Sequence, residues 1–182
     1  MKLVILDRDG VINEDSDHYI KSPEEWVPLP GSLAAIARLN QAGYRVVVAS
    51  NQSGLARGYF DRATLARMHD KMHRALAQAG GKVEEVFFCP HHPDEGCACR
   101  KPRPGMLHQI ATRLHTDLNG VPFIGDSLSD VQAARAVGAA PILVRTGKGK
   151  RTLARSEGLE GVPVFDDLAA AVAALLRAGR ES

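Results

Sequence analysis

Apolar residues fall into short, nearly unbroken runs at 2–6, 44–49, 83–88, 121–124 and 141–144, separated by longer stretches of amphipathic pattern. Runs this rich in Val, Ile, Leu and Phe suit strands covered by helices on both faces. The intervening stretches predict helices at 32–41, 62–78, 105–115, 129–137 and 167–178, the last an Ala-rich packing helix. Alternation of this kind predicts an α/β fold, doubly wound around a mostly parallel sheet. The 182 residues fit one core, so a single domain is expected over 1–182. No internal repeat or low-complexity linker interrupts the pattern.

Ligands of such sheets bind beyond the carboxyl ends of the strands, and polar clusters stand at those places here. Asp7-Arg8-Asp9-Gly10 follows the first run, Ser50-Asn51-Gln52-Ser53-Gly54 the second, and Gly125-Asp126-Ser127 the fourth; the third leads through a cysteine-rich segment to Cys99-Arg100-Lys101-Pro102. Two aspartates one residue apart at the end of a buried strand raise each other's cost of ionisation unless a cation neutralises them. Magnesium takes hard oxygen ligands, and Asp7 and Asp126 can supply two carboxylates. Asp130, four residues beyond Asp126, either joins that site or serves as a first-turn acid favoured by the helix dipole. Taken singly, Ser50 reads equally well as a strand terminator and Lys101 as a solvated surface charge.

The three cysteines, Cys89, Cys97 and Cys99, lie within one short segment with His91 and His92. An odd, tightly clustered set does not make a disulfide framework. Three thiolates and one imidazole suit tetrahedral zinc, and four protein ligands make such a site structural rather than catalytic. The alternative is three reduced, buried thiols. A zinc loop is therefore expected over 89–99, shaping the approach to Arg100 and Lys101.

Composition narrows the partners. The hydrophobic fraction of 45% and charged fraction of 24% are those of a globular protein. No apolar run approaches the roughly 20 residues of a membrane span, and the apolar start is too short for a signal peptide. A net charge of +2 and 5% aromatic residues disfavour a nucleic-acid surface. The expectation is a cytoplasmic monomer acting on a small molecule, without nucleic-acid or membrane partners.

Asp7-Arg8-Asp9-Gly10-Val11, Ser50-Asn51-Gln52, Lys101 and Gly125-Asp126-Ser127-Leu128-Ser129-Asp130 occur in an order and spacing that resembles the haloacid dehalogenase-like phosphatase superfamily. The resemblance implies a magnesium-dependent phosphatase: Asp7 as nucleophile forming an aspartyl-phosphate, Asp9 as general acid and base, and Ser50 and Lys101 holding the phosphoryl group. It also implies magnesium ligation by Asp7, Asp126 and the backbone carbonyl of Asp9, and zinc ligation by Cys89, His91, Cys97 and Cys99, with His92 outside the set. No insertion of cap-domain size follows the early strands, so an open site with a minimal cap is expected.

The cysteine loop and Cys99-Arg100-Lys101-Pro102 resemble the zinc-containing branch shared by heptose bisphosphate and histidinol phosphate phosphatases, and residues 50–58 are similar to the heptose side. That side implies release of the 7-phosphate of a sugar bisphosphate, on the route to activated heptose for lipopolysaccharide. Substrate would meet Asp15, Tyr19, Ser50, Asn51, Gln52, Ser53, Arg57, Arg100 and Lys101, with Arg57 or Arg100 offering a bidentate contact to the second phosphate. Many heptose phosphatases carry Thr at the position of Ser50 and Lys at that of Ser127. A DNA 3′-phosphatase and a non-enzymatic zinc module are the remaining readings, and near-neutral charge disfavours both.

Overall fold

A computed structural model describes residues 2–155 and 157–181. In chain order it comprises β1 (Leu3–Leu6), α1 (Ser32–Gln41), β2 (Arg45–Asn51), α2 (Arg62–Gln78), β3 (Glu85–Cys89), α3 (Gly105–Leu114), β4 (Pro122–Gly125), α4 (Leu128–Ala136), β5 (Ala140–Val144), α5 (Gly149–Arg155), β6 (Val164–Phe165) and α6 (Leu168–Glu181). The strands form one sheet in the order β3-β2-β1-β4-β5-β6, and every pairing is parallel.

Strand alternation sends successive side chains to opposite faces, and each face has its own core. Val4 and Leu6 of β1 pack with Ile36 and Leu39 of α1, Leu65 and Met68 of α2 and Val172 of α6. Leu3 and Ile5 pack instead with Leu107 and Ile110 of α3 and Ala133 and Ala134 of α4. Each fully buried Val, Leu, Ile or Met side chain among these contributes about 1.5–3 kcal/mol relative to exposure. The predicted doubly wound sheet is the observed one.

The chain moves outward from β1 through β2 to β3, then crosses back to place β4 on the other side of β1. This reversal leaves a crevice between the exits of β1 and β4, paired at Ile5↔Phe123 and Leu6↔Ile124. Between β1 and α1 the described residues hold only a 3₁₀ turn, Pro23–Glu25, and isolated bridges, so nothing of cap size covers the crevice from that side. Among the described residues no helix is long and apolar enough to cross a membrane.

Two elements, β6 and α5, fall outside the apolar and amphipathic pattern. β6 is two residues long, too short to register as a periodic run, and α5 opens with the polar Gly149-Lys150-Arg151-Thr152. Their position matters, because the turn between β5 and α5 closes one side of the crevice.

Candidate active site

The exits of β1 and β4 bring Asp7 and Asp126 together. Asp7 donates its backbone N–H to the Ile124 carbonyl at 3.0 Å, which ties the loop after β1 to β4. Gly10, at φ 83°, approaches Asp126 so closely that a Cβ there would collide with the Asp126 carboxylate. Gly147, from the β5–α5 turn, is equally confined by the same carboxylate and by Gly10. The two glycines let backbone wrap a buried aspartate that side chains would exclude. The Lys148 N–H donates to Asp126 Oδ2 at 2.9 Å, and the Thr152 hydroxyl to the Asp126 carbonyl at 2.8 Å.

Carboxylate oxygens of Asp7, Asp126 and Asp130 lie within 4.8 Å of one another. Burial, reinforced by Asp130, raises the Asp7 carboxyl well above the usual range although Lys101 opposes it. Burial and Asp130 likewise push Asp126 up to about 7. Carboxylates arranged in this way need a cation to ionise together. An all-oxygen donor set facing an open cavity fits magnesium, which keeps waters and accepts substrate oxygens.

One cation is already built in. Lys101 is 3% exposed, and its Nζ lies 2.7 Å from Asp130 Oδ1, 2.8 Å from the Ala49 carbonyl and 3.3 Å from Asp7 Oδ1. Burial works against its charge, but Asp130 and Asp7 outweigh it and hold the ammonium charged above its ordinary range. Asn51 fixes the backbone of Lys101 from both sides, donating to its carbonyl at 3.1 Å and accepting from its N–H at 3.0 Å. Asp130 also accepts from Ser127, closing a reciprocal cap at the start of α4. It therefore combines the two roles the sequence left open, a first-turn acid and a member of the carboxylate cluster.

Asp9 differs electrostatically from Asp7. Burial disfavours its charge, yet the Arg8 guanidinium and hydrogen bonds from Asn13, Arg8 and Gln52 outweigh that and hold its carboxyl below the usual range. Gln52 donates to Ser50 Oγ at 2.8 Å and to Asp9 Oδ2 at 3.3 Å. Because Ser50 accepts from Gln52, its own hydroxyl hydrogen is available to a ligand.

A cavity of about 330 Å³ opens on these groups. Asp7, Asp9, Ser50, Lys101 and Asp126 line it, and so do Asp15, Tyr19, Asn51, Ser53 and Arg100. Gln52 does not line the cavity: it is buried, and it links Ser50 to Asp9. Arg57 is exposed and lies with its guanidinium 5.6 Å from the centre of the Tyr19 ring, outside the cavity lining. Ser16, Asp17, Ser127 and Ser129 line it as well, and so does Lys148, which the sequence patterning does not single out. Lys148 Nζ pairs with Asp15 at 3.4 Å. A signal for it existed, since Arg145-Thr146-Gly147-Lys148 is the polar cluster at the exit of β5.

The second cluster joins the end of β3 to the loop before Lys101. One ligand atom each from Cys89, His91, Cys97 and Cys99 lies within 4.8 Å of all the others. The Cys89 sulfur is 3.6 Å from Cys97 and 3.0 Å from Cys99, Cys97 and Cys99 are 3.7 Å apart, and His91 Nδ1 is 3.5 Å from Cys89 and 3.2 Å from Cys99. These separations are too long for a disulfide. They approach the edges of a zinc tetrahedron, roughly 3.5–3.8 Å for Zn–S of about 2.3 Å and Zn–N of about 2.0–2.1 Å. Burial and the neighbouring thiols push Cys89 up to about 12, so a thiolate there calls for a cation. His92 stands apart and caps the 3₁₀ turn Pro93–Glu95.

Residues 98–171 match the family model described as HAD-hydrolase-like. The D-glycero-β-D-manno-heptose-1,7-bisphosphate 7-phosphatase of Bordetella bronchiseptica is 63% identical over 97% of this chain and 99% of its own length. The enzyme of the same name from Pseudomonas aeruginosa is 57% identical over 96% of this chain and 98% of its own. The crystal structure of the D,D-heptose 1,7-bisphosphate phosphatase from B. bronchiseptica, complexed with magnesium and phosphate, matches with a TM-score of 0.96, covering 98% of this chain and 99% of that one at 63% identity. With such likeness over almost its whole length, and with four acidic, serine and lysine clusters converging on one crevice, the chain belongs to the heptose-bisphosphate phosphatase family of HAD-like hydrolases.

Proposed function

We propose that the chain hydrolyses the 7-phosphate of D-glycero-β-D-manno-heptose 1,7-bisphosphate through an aspartyl-phosphate on Asp7. The observation that carries this reading is the placement of Asp7 beside Asp126, Asp130 and Lys101 at the crevice between β1 and β4. The likeness to relatives of that name supplies the substrate, including its β configuration.

Asp7 attacks phosphorus with a carboxylate oxygen, and the bond from phosphorus to the sugar oxygen breaks. Asp9 gives that oxygen its proton, leaves as a carboxylate, and then takes a proton from the water that cleaves the acyl phosphate. Its contacts to Arg8, Asn13 and Gln52 favour the anionic form required in the second step. Ser50 donates its hydroxyl to the phosphoryl group, and Lys101 supplies fixed positive charge there. Asp7, Asp126 and the Asp9 carbonyl would hold magnesium, which would supply charge neutralisation for the phosphoryl oxygens.

Cys89, His91, Cys97 and Cys99 would hold zinc, which would fix the loop that delivers Arg100 and Lys101. Asp15, Tyr19, Asn51, Ser53 and Arg100 contact the sugar and second phosphate, while Gln52 acts through Ser50 and Asp9, and Arg57 acts from the rim. The chain works as one domain over 1–182, with its zinc loop at 89–99. We take it to be a cytoplasmic monomer without nucleic-acid or membrane partners. In support of the monomer, Val27 and Tyr59 are the only large apolar side chains exposed among the described residues.

The test is phosphorus NMR of the reaction with the β bisphosphate, with histidinol phosphate run alongside. Loss of the 7-phosphate with the anomeric phosphate retained is expected. Loss of the anomeric phosphate, or faster hydrolysis of histidinol phosphate, would overturn the substrate assignment.

A further inference from the structure

Arg8 is fully buried although it sits between two reacting aspartates. A buried guanidinium is costly unless its donors are met; Nε and one terminal nitrogen of Arg8 have hydrogen-bond partners, while the remaining terminal nitrogen has only its ion-pair contact with Asp9. Nε donates to Asp9 Oδ1 at 2.8 Å, and one terminal nitrogen forms an ion pair with the same oxygen at 2.8 Å. The other terminal nitrogen faces Nε2 of His69, from α2, at 3.1 Å. Burial, then the adjacent guanidinium, push His69 down to about 3, so the ring is neutral. Arg8 has no acceptor capacity, so Nε2 accepts and the ring proton lies on Nδ1.

Asn13 adds a third contact to Asp9 Oδ1, at 2.9 Å. Oδ1 is thus saturated, whereas Oδ2 meets only the Gln52 amide at 3.3 Å. Asp9 lines the cavity and its side chain keeps 23% exposure. We propose that Arg8 and His69 are a buried positioning pair: α2 holds the guanidinium through His69, and the guanidinium holds Asp9 by one oxygen so that the other faces the leaving-group oxygen. The inference rests on the reading of Asp9 as proton donor. Neither residue touches substrate.

Transfer of a proton to the leaving group matters little for a good leaving group and greatly for a poor one. The test is therefore first-turnover phenol release from aryl phosphates, from 4-nitrophenyl to unsubstituted phenyl phosphate, for wild type, His69→Leu, His69→Gln and Arg8→Lys. In His69→Leu, release of phenol is expected to fall tenfold or more while that of 4-nitrophenol stays within about threefold, with KM little changed. His69→Gln, which can still offer an acceptor, is expected to recover most of the loss, and Arg8→Lys to show the same selectivity as His69→Leu. The aryl series needs no heptose, so its outcome stands whatever the natural substrate is. A uniform loss across the series, as from general loosening of α2, would overturn the proposal, and so would a folded His69→Leu protein with unchanged kinetics. If His69→Leu fails to fold, Arg8→Lys decides by the same comparison.

Discussion

The Lys101 ammonium donates to Asp130 at 2.7 Å while standing 3.3 Å from Asp7. A carboxylate from the first turn of α4 thus holds a cation, delivered by the loop after the cysteine cluster, against the proposed nucleophile. Replacing Asp130 with Asn removes the closer counter-ion and weakens the cap of α4. The expected result is a fall in kcat of about 10-fold to 100-fold, less than the 10²–10³ that loss of a direct charge-stabilising donor costs, with a lowered melting temperature. Steady-state kinetics and a thermal melt check both.

Asp9→Asn should lower kcat by about 10²–10⁴, the usual worth of general acid–base help, with KM largely kept. The amide can still accept from Arg8 and Asn13, so the loop should keep its shape. A KM rise with unchanged kcat would show that Asp9 binds rather than reacts.

The two metals should separate by mutation. Cys99→Ala should lower bound zinc, the melting temperature and, indirectly, activity, and added magnesium should not rescue it, because a hard-oxygen cation does not suit thiolates. Asp126→Ala should retain zinc and lose magnesium-dependent activity. Elemental analysis beside a magnesium titration reads both. Full activity and an unchanged melting temperature in zinc-free protein would contradict the structural role of the loop.

Metal-free protein should lose stability as pH rises. Asp126 is pushed up to about 7 by burial and Asp130, and Asp7 moves in the same direction. An acid whose folded pKa exceeds its unfolded one, about 3.9, keeps its proton in the fold after the unfolded chain has lost it. The Asp126 penalty is absent below about pH 4, accumulates between about 4 and 7, and is complete above. Melting temperatures in chelator should therefore fall over that window, and saturating magnesium should flatten the fall by favouring the ionised carboxylates. A melting temperature that rises from pH 4 to 7 in chelator would contradict this electrostatic account.

Much of the site was legible because its residues stand directly after apolar runs. Asp7 and Asp126 could be placed at strand exits from patterning alone, and the sheet order then puts those exits side by side. The cysteine spacing likewise pointed to one cluster. The Arg8–His69 contact was not legible: it spans 61 positions, and a histidine on the inner face of an amphipathic helix carries no mark of its partner. Lys148 is a different case: it stands at the exit of β5, which also ends at the crevice, but a lone lysine in a turn reads as a solvated surface charge. Gln52 shows a third case. Its place in a polar loop suggested ligand contact, but the turn after β2 directs it inward to Ser50 and Asp9.

Covalent catalysis by Asp7 is tested most directly by rapid acid quench with substrate labelled at the 7-phosphate, followed by peptide mapping. Label should appear on the peptide containing Asp7 in wild type and be absent from a folded Asp7→Asn protein, which should also have lost turnover. Turnover by Asp7→Asn near the wild-type rate, or label on another residue, would contradict the account.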